Sequence, residues 1–128
     1  MDQWIPYEEG EYAVEDAFLR TPSGHGVRAV KTVVEVYVDS DGRRQLKGFG
    51  QLVNALLMDL MDQDDQVDLV LDFAPAHRYR LIAPTIRAGK LFTPGVRAAF
   101  HFYPRSPWVP LSDTRFEAMV QETIFLQE

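Results

Sequence analysis

The stretch Val27–Val38 is rich in β-branched residues, with Val30, Val33, Val34, Val36 and Val38 among them. Branching at Cβ restricts χ1 and suits a pleated surface, so this run commits the chain to a fold built around strands. Asp39-Ser40-Asp41-Gly42 supplies tight-turn residues, and Arg43–Phe49 returns as the hairpin partner. Gly48 and Gly50 read as breaks. From Gln51 to Met61 the apolar spacing becomes helical, with Leu52, Leu56 and Leu60 on one stripe and Val53, Leu57 and Met61 beside it.

Period two returns further on. Val67–Phe73 alternates, Ala74-Pro75-Ala76 turns the chain, and His77–Ile82 runs back. Pairing Asp72 with Arg78 across that turn sets Val70 opposite Arg80 and Asp68 opposite Ile82. A short strand is expected near Ile86–Phe92, within a loop holding Pro84, Gly89 and Pro94. Val96–Tyr103 alternates again, with Val96, Ala98, Phe100 and Phe102 inward. Pro104, Pro107 and Pro110 keep the next segment extended. A last helix is expected from Thr114, where Thr114 and Glu117 match a capping box and Phe116, Met119, Val120 and Ile124 form a stripe.

Upstream, Tyr12–Arg20 reads as one strand with a change of phase near Glu15–Asp16, as a bulge makes. Thr21–Gly26 is a turn. Short links between strands favour an antiparallel sheet, so the expected fold is α+β. It has about six to seven mostly antiparallel strands in the order β-β-β-α-β-β-β-β-α, with two helices packed on one face.

The 128 residues fit one domain spanning 1–128. Cysteine is absent, which excludes disulfides, thiolate metal sites and thiol nucleophiles. The N-terminal Met-Asp-Gln-Trp-Ile-Pro lacks the apolar centre of a signal peptide. The longest apolar run, Leu52–Met61, is interrupted by Asn54 and Asp59 and is too short to span a bilayer. A cytoplasmic protein without membrane partners is expected.

Net charge is −6, yet the charge is segregated. Residues 1–72 hold 15 acids and 6 bases. Residues 73–112 hold no acid and six bases, Arg78, Arg80, Arg87, Lys90, Arg97 and Arg105. Asp59, Asp62, Asp64, Asp65 and Asp68 cluster at the end of the first expected helix, where the macrodipole disfavours them. Either the two segments neutralise each other across strands, or the basic one receives a partner.

No catalytic or cofactor pattern stands beside this segregation. His25, His77 and His101 show no metal-ligand spacing, and Ser23 and Ser112 lack a nucleophile elbow. His101 would serve as a general base only if the sheet brought it to Asp68 or Asp72. Gly48-Phe49-Gly50 is too short for a phosphate fingerprint, and Asp39-Ser40-Asp41-Gly42 lacks the Glu that would complete a calcium loop. No cofactor and no metal are expected.

The leading expectation is therefore a non-enzymatic protein-binding or accessory domain with a charge-polarised surface. Its binding residues would be Arg78, Arg80, Arg97, His101, Tyr103, Arg105 and Trp108, the types that supply interface hot spots. Trp108 lies in a P-x-x-P context, which suits either a polyproline ligand or a connector whose Trp packs back on the core. The partner would be another protein or a second copy. The alternatives are single-stranded nucleic acid on strands 77–105, with Tyr79, Phe92 and Tyr103 stacking on bases, or a small-molecule pocket, enzymatic or not, between sheet and helices around His77 or His101.

Overall fold

A computed structural model describes residues 7–88 and 97–126, with the backbone alone for Asn54, Arg97 and Ala98. In chain order the elements are β1 (Gly10–Ala13), β2 (Asp16–Arg20), β3 (His25–Val38), β4 (Arg44–Val53), α1 (Asn54–Gln63), β5 (Asp68–Ala74) and β6 (His77–Leu81). There follow β7 (Thr85–Ala88), β8 (Arg97–Tyr103), β9 (Val109–Leu111), α2 (Asp113–Glu122) and β10 (Ile124–Phe125). The class is α+β with a mostly antiparallel sheet, as expected. The strand count is higher, because Tyr12–Arg20 divides between β1 and β2 and because β9 and β10 carry too few residues to show a period.

The sheet runs β7-β8-β4-β3-β2-β5-β6-β9, with β1 and β10 also on β3. The long valine strand belongs to two wings. Its Val33–Val38 half pairs with β4 and β1, and its Gly26–Ala29 half pairs with β2. Between them the β3–β4 register shifts, and Lys31 takes φ +52. The inward side chains change parity there, from Val27 and Ala29 to Val34 and Val36, as an extra residue in a strand requires.

The phase change near Glu15–Asp16 has the same origin and corrects the bulge expected inside one strand. β1 ends there and β2 begins on the other wing. Val14 N–H donates to Thr32 O at 3.0 Å and Glu15 N–H to Asp72 O at 2.8 Å, so the corner stays hydrogen-bonded.

One core fills the concave side, drawn from both wings: Leu46, Leu52, Phe100 and Phe102 on one, Leu19, Leu69, Leu71 and Leu81 on the other. From α1, Leu57 and Leu60 join it. α2 packs elsewhere. Its Phe116 and Met119 cover Phe18 and Val70, which alternate with the core residues and face the convex side of the β5 wing. The expectation of two helices on one face is therefore corrected, since β2 and β5 are apolar on both faces and each face needs a cover.

Three element boundaries also differ. Gly48 and Gly50 do not end β4. They let it pass beneath Phe102 and Phe100, whose rings occupy the space a Cβ would take. Consequently α1 starts at Asn54, and Leu52 is a strand residue. At the far end, Ser112 caps α2 by accepting from Arg115 N–H at 3.0 Å, which displaces the Thr114 capping box. Ile124 lies beyond the helix, exposed in β10, where Ile124 and Phe125 pair parallel with His25 and Gly26. The strand expected at Ile86–Phe92 is seen as β7, and its remainder lies outside the described residues. Among the described residues no helix is long and apolar enough to cross a membrane.

Candidate functional site

The β5–β6 hairpin holds the first two candidate residues, in the register expected for them: Asp72 faces Arg78, and Val70 faces Arg80. Arg78 Nε donates to Asp72 Oδ1 and its Nη1 to Asp113 Oδ1, both at 3.0 Å. Its guanidinium also lies 4.3 Å from the centroid of Phe116, leaving the side chain 13% exposed. The bond to Asp72 raises its pKa further, so it is always charged. Arg80 donates through Nε to Asp68 Oδ2 at 2.9 Å, and Asp68 is 2% exposed. The other oxygen of Asp68 accepts from Ala83 N–H at 2.9 Å and from Gln66 Nε2 at 3.0 Å. Asp68 thereby fixes Ala83 at φ +46, the turn out of β6. Both arginines thus answer internal carboxylates.

The remaining strand candidates stand apart from that hairpin. β8, which carries Arg97, His101 and Tyr103, is separated from β6 by β4, β3, β2 and β5. One basic face spanning Arg78, Arg80, Arg97, His101 and Tyr103 therefore does not form. Nor does His101 meet Asp68 or Asp72, which hold Arg80 and Arg78 instead. His101 sits in a row of cross-strand partners, Ala13–Val33–Phe49–His101–Arg87, on the convex face of the β4 wing. Its ring centroid is 6.2 Å from that of Phe49, which is 45% exposed. Tyr103, two residues along the same face, is 36% exposed. Lys47 and Arg87 are exposed beside them, and Lys47 lies 3.8 Å from Glu35.

Arg105 is exposed in the link after β8. Trp108 is not. It is 6% exposed, stacked on Phe73 with centroids 6.0 Å apart and edge-on to Tyr79 at 5.1 Å. The residues after it pair with β6, so this segment is a strand of the sheet and not a free polyproline ligand. Its Nε1 is buried without a hydrogen-bond partner among the described residues.

Sequence reasoning missed most of one further feature. Where β1 approaches the β5–β6 hairpin, Tyr7, Tyr12, Phe73 and His77 line an open groove of about 380 Å³, with Glu11 and two alanines. Tyr7 makes ring contacts with Tyr12 at 4.9 Å and Phe73 at 5.0 Å. Burial and a hydrogen bond with Tyr79 push its hydroxyl well above the usual tyrosine range. Tyr12 Oη donates to Glu8 O at 2.7 Å, and Arg44 Nη1 to Tyr7 O at 2.8 Å, fixing the strap that carries both rings. Each ring in isolation reads as core; the lone signal was His77 as a pocket residue. Among the described residues no three His, Asp or Glu side chains gather as a metal site needs.

No family model, curated protein or solved structure matches the chain.

Proposed function

We propose that the chain is a non-enzymatic binding domain that docks an acidic partner protein on the convex face of the β4 wing. The observation that carries this is the exposure of Phe49 and Tyr103 on a face where no described helix lies, while α2 covers the equivalent face of the β5 wing. Exposed aromatic residues beside cations are a composition suited to an interface. Lys47 and Arg87 supply the cations, so the complementary surface carries carboxylates. Arg78, Arg80 and Trp108 belong to the fold in this reading, and Arg105 extends the basic rim.

Single-stranded nucleic acid is the weaker reading. Tyr79 is buried in the core and offers no stacking face, and Arg78 and Arg80 already hold carboxylates.

A photoreactive amino acid replacing Phe49, compared in cells with one replacing Glu117 on the exposed side of α2, tests the proposal. A discrete protein adduct at position 49 that disappears with Arg87→Glu supports it. Equal labelling at both positions, or an adduct with nucleic acid, overturns it.

A further inference from the structure

We infer that the groove between β1 and the β5–β6 hairpin is a binding site for an alkylated ammonium group. This inference does not depend on the role proposed for the convex face.

The walls carry the inference. Tyr7 and Phe73 stand nearly perpendicular, at 87°, and Tyr12 and His77 are tilted from Tyr7 by 35° and 55°. Rings set at such angles present faces in several directions around one space, and each face carries the negative lobe of its quadrupole. A cation within about 6 Å of a ring centroid is attracted by it. Glu11 is among the residues that line the groove, and among the described residues no Lys or Arg does. Glu8 and Glu9, exposed in the strap just before β1, deepen the negative field. A neutral guest gains nothing from these charges, and an anion is repelled by them.

The choice of an alkylated over a bare ammonium follows from the donor count. A primary ammonium brings three N–H donors that each need an acceptor. Among the described residues Glu11 is the one acidic residue in the lining. Methyl groups on nitrogen remove those donors and give the rings apolar surface to cover, while the charge stays. The volume of about 380 Å³ is also ample for a trimethylammonium head. Such a head belongs either to a free choline-like molecule or to a methylated lysine on a protein.

The test uses the full chain and NMR titration of its ring resonances. Four probes are compared: tetramethylammonium, choline, the neutral analogue of choline with carbon in place of nitrogen, and a short peptide bearing trimethyllysine. The cations should shift Tyr7, Tyr12 and Phe73, with the neutral analogue at least about fivefold weaker. Glu11→Gln, at an exposed position, should weaken choline about twofold to fivefold without loss of fold. Tighter binding of the peptide than of choline assigns the head to a protein side chain, and the reverse assigns it to a free molecule. Equal affinity for choline and its neutral analogue overturns the inference, as does no shift with any cation at millimolar concentration.

Discussion

The ring of Phe102 lies across the bare backbone of Gly48, its cross-strand partner between β8 and β4. A Cβ built on Gly48 would fall 2.6 Å from Phe102 Cε2 and closer still to Cζ. The ring is fully buried and packed against Phe100 at 5.9 Å, so it has little room to retreat. Gly48→Ala should therefore destabilise the protein by about 1 to 3 kcal/mol through overpacking. Urea unfolding measures this, and a variant as stable as the parent would contradict the packing described.

Asp68 is the carboxylate on which the second prediction turns. Asp68→Ala leaves Arg80 and Ala83 N–H without their acceptor in a largely buried place. The loss should be about 3 kcal/mol, at the lower end for a broken buried pair because Arg80 is partly exposed. Lys47→Ala, which removes an exposed ion pair with Glu35, should change stability by less than about 0.5 kcal/mol. Equal effects from the two substitutions would refute this ranking.

These two sites mark where sequence reasoning succeeded and where it failed. Asp72 opposite Arg78 was legible because a short antiparallel turn leaves few registers. Asp68 was assigned to Ile82, yet its carboxylate reaches Arg80 on the diagonal, a side-chain choice that strand register alone does not determine. Gly48 and Gly50 were read as breaks because a glycine's local meaning is a turn. Their use here, admitting Phe102 and Phe100, depends on strand partners distant in sequence. The division of candidate cations between two wings was hidden for a related reason. His101 and Arg80 alternate alike in sequence, and the intervening β4, β3, β2 and β5 become visible only in the assembled sheet.

Acid should loosen two turns in particular. Hydrogen bonds from Arg43 N–H and Gln45 hold Asp39 below the ordinary 3.8, and Ala76 N–H and Arg78 do the same for Asp113. A lowered folded-state pKa means that each carboxylate favours the folded state above 3.8 and ceases to do so as pH falls through its lower folded value. Carbon-detected titration should place both midpoints below 3.8. A midpoint at or above that value for either residue would remove its turn from this account.

Self-association is the fourth expectation. Asp59, Asp62 and Asp65 are exposed on or just after α1, and no ion pair engages them among the described residues. The convex face of the β4 wing carries exposed Lys47 and Arg87. Contact between these two surfaces of different copies should give a dimer at low salt that dissociates as salt rises, since exposed charges are screened within about 10 Å at 0.1 M. Sedimentation at two ionic strengths is the measurement. A monomer throughout the micromolar range at both would rule it out.

The parallel pairing of β10 with the start of β3 sets a constraint on synthesis. His25 emerges from the ribosome roughly 100 residues before Ile124, its partner. At about 5 to 20 residues per second, that edge of β3 waits at least about 5 seconds for its last neighbour. During that interval the Gly24 and Gly26 carbonyls, which later accept from Ile124 and Leu126, have no strand beside them. An open edge of that kind can template pairing with another nascent chain. His25 and Arg28, a polar ring and an exposed cation close to that edge, are the residue types that discourage such pairing while the chain is being completed.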